Sequence, residues 1–146
     1  MSYQSSAGSS IALTSSIPAS FDAAGYAALT YIEIGEVTNI GELGREYNPI
    51  EHMPISDRLV KQAKGSYRGG SIDLQYAFDR NDAGQILLRT ASRSDADYSF
   101  RITLQDGFKF YFYGKVMSAK TNIGGVDSIT SGSSTISITS RDIIEV

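Results

Sequence analysis

The chain has no cysteine, no tryptophan, three prolines and a single histidine in 146 residues. Without cysteine there is no disulfide framework, no thiolate nucleophile and no cysteine-ligated metal, so stability must come from packing or assembly. One histidine, His52, cannot build a histidine metal cluster within one chain, and with only Glu51 beside it His52 reads as a structural or surface residue. The carboxylate pairs Asp95/Asp97 and Glu33/Glu36 resemble a glycosidase pair only in residue type, since nothing around them indicates a sugar cleft and tryptophan is absent. No G-x-S-x-G nucleophile elbow occurs, and Gly69-Gly70 and Gly124-Gly125 lack the Lys-Ser/Thr ending of a phosphate loop, so they read as turns or bulges. The residues therefore point to no catalytic site, no phosphate loop and no histidine or cysteine metal site.

Positive charge is also missing where a targeting signal would carry it. The first 44 residues contain no Lys or Arg and no apolar run approaches membrane-spanning length, so the expectation is a protein made and kept soluble, without membrane insertion. The net charge of -3 lacks the basic excess of a protein that grips nucleic acid through its phosphates. Its distribution is uneven. Residues 1–44 hold Asp22, Glu33, Glu36 and Glu42 against no base, whereas 45–68 hold Arg45, Arg58, Lys61, Lys64 and Arg68 against Glu46, Glu51 and Asp57. This segregation reads either as a solvated surface or as two complementary patches.

What is present is alternation. "YIEIGEV" places Ile32 and Ile34 inward and Glu33 outward beside Tyr31, "SIDLQYAF" places Ile72, Leu74, Tyr76 and Phe78 on one face and Asp73 on the other, and "TISITS" alternates Ile136 and Ile138 with hydroxyls. "DRNDAGQILLRTAS" is the one convincing helix, with Asp82 as N-cap and Ile86, Leu87 and Thr90-Ala91 as its stripe, while "FDAAGYAAL" fits one short helical turn capped by Asp22. Residues 1–10 read as a flexible arm, "TNIGGVDSITSGSS" as turn-rich, and 44–70 as a long irregular loop to which "RLVKQAKG" adds at most a short strand. The expected fold is a single mainly β domain over 11–146, an antiparallel sandwich or partly closed barrel with one flanking helix.

"YSFRITLQDGFKFYFYGKV" (98–116) tests register. A two-residue turn at Asp106-Gly107 would pair Thr103 with Phe110 and Arg101 with Phe112, mixing polar and aromatic partners. A three-residue loop with Gly107 left-handed instead pairs Leu104 with Phe108, Ile102 with Phe110 and Phe100 with Phe112, giving one apolar face. The other face then shows Asp97 opposite Lys115, Ser99 opposite Tyr113 and Arg101 opposite Tyr111. Tyr111 and Tyr113 serve either a partner that covers the sheet or the rim of the domain's own helix.

The segment "IPASFDAAGYAALTYIEIGEVTNIGELGREYN", with the Asp79–Gln85 helix start, the hairpin and "GKVMSAKTNIGGVDSI", resembles the major tail tube proteins of long-tailed bacteriophages. The resemblance implies a β-sandwich with a flanking helix, no enzymatic activity and no cofactor, self-assembly into stacked hexameric rings, and a tube that conducts the genome into the host. It also implies a place in the virion tail after soluble synthesis in the bacterial cytoplasm, neighbours such as tape-measure and tail-terminator proteins, and DNA that passes without specific binding. Under it Glu33 and Asp73 are candidates for the lumen, where acidic or neutral walls keep DNA mobile. Glu36, Glu42, Arg45, Arg58, Lys61, Lys64, Arg68, Tyr111 and Tyr113 are candidates for subunit and ring contacts, with the 44–70 segment as the reach between rings. The rival expectation from the alternation alone is a β-sandwich recognition module for carbohydrate or receptor.

Overall fold

The computed structural model describes residues 5, 7–56, 58–140 and 143–146. In chain order the elements are β1 (Ser10–Thr14), α1 (Ala23–Ala27), β2 (Ile32–Glu33), β3 (Val37–Asn39), β4 (Glu46–His52), β5 (Lys61–Arg68), β6 (Ser71–Ala77), α2 (Ala83–Ser92), β7 (Tyr98–Thr103), β8 (Lys109–Asn122), β9 (Ser131–Ile138) and β10 (Ile144–Glu145). Eight strands form one antiparallel sheet in the order β2-β1-β7-β8-β9-β6-β3, with β10 on β8; β4 and β5 form a sheet of their own. Most of the expected arm at 1–10 lies outside the described residues, and Ser10 already belongs to β1.

The sheet's two edges, β2 and β3, are neighbours in sequence, and this forces the curl. Seven flat strands would span roughly 29 Å, whereas the chain from Glu33 to Val37 reaches at most about 14 Å. The sheet therefore bends into a half-barrel, closed along a seam where Ile34 N donates to Ile11 O (2.9 Å) and Ala77 N donates to Glu36 O (2.8 Å). The tight passage takes Glu36 to φ 58°, the positive φ of a non-glycine residue.

A polar clamp holds that seam. Asp82 caps α2 by accepting from Gln85 N (3.0 Å), and the same carboxylate oxygen accepts from Gly35 N (3.1 Å). Gln85, fully buried, donates from Nε2 to Gly35 O and Ala77 O (both 3.0 Å) and accepts at Oε1 from Asp79 N (2.9 Å). Gly84 lets α2 lie directly on the seam, because a Cβ there would stand 2.3 Å from Glu33 O. α2 then packs on β8, β1 and β2.

The hairpin adopts the register chosen by its apolar face. Phe100 opposes Phe112 and Ile102 opposes Phe110, Leu104 N donates to Phe108 O (2.8 Å), and Gly107 has φ 92°. Phe100 and Phe112 stack 5.3 Å apart in a core that includes Ile11, Leu13, Ile72, Leu74, Leu88 and Ile136. Phe108 departs from the expectation. It is 37% exposed and packs edge-on to Phe110, because the core tapers out before the hairpin tip.

Other differences have equally local causes. Ile32, expected inward, is 40% exposed because β2 is a two-residue edge strand, whereas Ile34 is buried. The buried stripe of α2 is Gly84, Gln85, Leu88 and Ala91, with Ile86 and Thr90 outward, since the helix docks through its polar clamp. Thr121 and Asn122, and Ser131 to Ser134, expected in a turn, are strand: Gly132 lies under the Tyr76 ring, where a Cβ would stand 2.2 Å from it, so small residues are what β9 needs there. The short α1 is present as a second helix, with Gly25 N donating to Asp22 Oδ1 at 2.7 Å. Finally, the 44–70 segment is not irregular. Most of it is the β4–β5 hairpin, whose register shifts between Tyr47 and Pro49 because Pro49 has no N–H to give the ladder.

Candidate assembly surfaces

Among the described residues no group of three or more His, Cys, Asp or Glu side chains is placed to hold a metal, and no helix is long and apolar enough to cross a membrane. The features that call for explanation are surfaces.

The β4–β5 hairpin packs on itself and only marginally on anything else. Tyr47 and Tyr67 face each other across it (5.3 Å), with the Arg45 guanidinium 4.5 Å from the Tyr67 ring and the Lys64 ammonium 4.7 Å from the Tyr47 ring. Asn48 Nδ2 donates to Ser66 Oγ (3.1 Å) and Gln62 Nε2 to Glu51 Oε1 (3.3 Å). Arg68 sits opposite Glu46, Lys61 opposite His52, and Arg58 lies beyond the strands in the exposed tip. No residue of either strand is buried, and the tip carries Met53, Ile55 (107% exposed), Leu59 and Val60 in the open. The tip's apolar residues went unremarked in the sequence, although four of them in a charged, weakly periodic stretch were visible there.

The sheet's non-core face has two halves. Over β1, β7 and the start of β8 it is covered: Tyr26 of α1 stacks on Tyr111 (5.5 Å), Tyr31 tilts onto Tyr111 (6.2 Å) with Arg101 over the Tyr31 ring (5.0 Å), and Phe21 meets Tyr113 (5.2 Å). Tyr111 is 3% exposed and Tyr113 half-buried, so Tyr111 as a partner-facing residue is corrected: the chain's own α1 segment occupies it. Burial pushes the Tyr26 hydroxyl up to about 12, with Tyr113 adding to it, and burial likewise raises Tyr31, helped by Tyr111. Asp22 is held below the usual carboxylate range, chiefly by the Gly25 N–H and then by Ser20.

Over β6, β9 and the second half of β8 the same face is bare. It shows Ser71, Asp73 and Gln75, then Ser133, Thr135 and Ser137, then Lys115, Ser118 and Lys120. Asp73 accepts from Thr135 Oγ1 (3.1 Å), and Lys115 is bonded to Asp97 at 2.7 Å, the pairing the register predicts. Glu33 is exposed on the same side of the sheet, but β1, β7, β8 and β9 separate it from Asp73, so the two lumen candidates are not brought together along the sheet. Glu36 is exposed at the seam and Glu42 is exposed between Gly41 and Leu43.

No protein-family model matches the sequence, and no curated protein does. Solved structures do match. The whole chain aligns with 97% of a chain in the six-fold symmetrised cryo-EM structure of the anti-feeding prophage (AFP) baseplate, at TM-score 0.69 and 9% identity. Over 94% of its length it aligns with 75% of a chain in the SPP1 tail tube, solved by solid-state NMR and cryo-EM, at TM-score 0.62 and 15% identity. The chain thus has the fold of subunits found in a phage tail tube and a prophage baseplate, which is the fold its sequence resemblance implied.

Proposed function

We propose that the chain is a structural subunit of a phage-type tail tube, assembling with copies of itself into stacked rings, six subunits to a ring, around a bore that passes the genome to the host. The observation that carries this reading is the β4–β5 hairpin: an arm with apolar residues uncovered and no second layer of its own, on a body with the fold of tail-tube and baseplate subunits. Two-stranded hairpins are marginal alone, so this one gains its order from a neighbouring subunit, as the reach from ring to ring. The short β2 and β3 edges and the free edge of β8 beyond Gly114 are available for pairing around the ring.

The bare face of β6, β9 and β8 suits a bore. Its hydroxyls and amides offer DNA no fixed cation beyond Lys120 and the already paired Lys115, so the counterion release that makes DNA bind tightly is small. Asp73 then lines the lumen, and Glu33 borders it. Tape-measure and terminator proteins are the expected further partners, and the role is structural, with no cofactor and a place in the virion.

Sizing the purified protein and imaging it by negative stain tests the reading: rings or hollow filaments are expected, and a monomer at every concentration would contradict it. Reversing Arg58, Lys61 and Lys64 together to Glu should leave folded protein that no longer makes long tubes. Replacing Glu33 and Asp73 by Lys should permit tubes but slow DNA passage, less so at high salt.

A further inference from the structure

We infer that the cleft at the open end of the half-barrel is the seat for the β4–β5 tip of another copy of the chain, an inference that rests on self-assembly but names the surface that receives the arm. Beneath the seam lies a cleft of about 340 Å³ whose walls include Ile40, Leu43, Leu104, Phe110 and Ile143. These side chains pack against the core from one side and remain only partly buried, so they form an apolar wall with no described residue in front of it.

Two exposed apolar protrusions compete to fill it: the tip, with Met53, Ile55 and Leu59, and the β8–β9 loop, with Ile123, Val126 and Ile129. Charge decides between them. Among the described residues that line it Glu145 is the only ionisable side chain, and Glu42 stands between two of them, Gly41 and Leu43. The sequence around the tip, 51–64, sets Arg58, Lys61 and Lys64 against Glu51 and Asp57 and so brings a net positive charge to this acidic rim, whereas the β8–β9 loop, 123–130, brings Asp127 alone.

The tip that fills the cleft cannot be the chain's own. Gly44, where the hairpin leaves the body, itself lines the cleft, and the seven residues of β4 carry the tip about 23 Å away. Folding it back would break the β4–β5 ladder. A contact between unlike surfaces, tip to cleft, can also repeat from copy to copy, which is what a filament requires.

The absence of native cysteine makes the test clean. Ile55→Cys and Leu43→Cys are combined in one chain, assembled, and treated with a short bismaleimide. A ladder of covalent multimers is expected from the double variant, and neither single variant should give one. Tubes without a ladder would overturn the tip-to-cleft contact while leaving tail-tube assembly standing. A ladder from Val126→Cys with Leu43→Cys instead would put the other loop in the cleft. Protein that stays monomeric by sizing would end both readings. As a second arm, Ile55→Asp and Leu43→Asp should each raise the concentration needed for assembly about tenfold or more. Mixed one to one they should form pairs, since one variant keeps its cleft and the other its tip. Thermal melts of each variant separate lost contact from lost fold, and a folded Ile55→Asp that assembles normally would also overturn the proposal.

Discussion

The curled sheet and the β4–β5 hairpin share antiparallel strands, aromatic cross-strand pairs and a bulge, yet end in opposite states. In the sheet Phe100 and Phe112 face each other with no exposure, under α2 and the opposite wall of the half-barrel. In the hairpin Tyr47 and Tyr67 face each other with cations laid on their rings, and neither ring belongs to the buried core. Pairing alone therefore does not separate a core from an arm. The difference is the second layer, which the sheet makes by curling onto itself and which, in the assembly proposed above, the hairpin finds in another copy.

The widest gap between the two regions should appear when each loses a buried-type side chain. Phe112→Ala is expected to cost about 3–5 kcal/mol in denaturant unfolding of the monomer, while Ile50→Ala in the hairpin should change it by less than about 0.5 kcal/mol. Equal losses would mean that the hairpin belongs to the same cooperative unit as the body.

Next in size is the clamp that closes the half-barrel. Gln85→Leu keeps the volume but removes the partner of Gly35 O, Ala77 O and Asp79 N, and at about 1 kcal/mol or more for each unpaired group a total loss of about 3 kcal/mol or more is expected. The same unfolding measurement checks it, and an unchanged midpoint would show that the seam closes without the clamp. Gly107→Val should cost less, about 1–2 kcal/mol, because only the left-handed backbone is strained: no atom lies within 4 Å of the added Cβ.

The smallest effect is alkaline and sits on the covered half of the sheet face. Tyr26 ionises normally near 10.0 and in the fold near about 12, so the folded state favours the neutral phenol. That contribution is complete below pH 10 and is lost as pH rises from about 10 to about 12. The melting temperature should fall across this window, and Tyr26→Phe should flatten the fall; an unchanged slope in Tyr26→Phe would remove Tyr26 from the account.

Strands with clean alternation were legible in the sequence because one buried face imposes period two, and the hairpin register followed because a slip would have put Phe110 and Phe112 against polar partners. A partly closed barrel was among the expectations, but where the sheet closes was not legible. It depends on β2 and β3 being consecutive and pairing at opposite edges, a long-range fact with no local pattern. Gln85 was hidden for a related reason: a buried glutamine is explained only by the backbone groups it satisfies, and those come from two separate segments, Gly35 and 77–79. The regular hairpin was read as a loop because, with neither face buried, its strands carry no alternation. Tyr111 was open to two readings in the sequence, and α1 settles it by stacking Tyr26 upon it.

Hydrogen exchange on the amides of β4 and β5, compared between dilute monomer and assembled protein, tests the central claim that the hairpin completes itself only on another copy. In the monomer these amides should exchange far faster than those of β7 and β8, and on assembly they should become protected to a similar degree. Strong protection in the monomer, or none gained in the assembled form, would contradict the account.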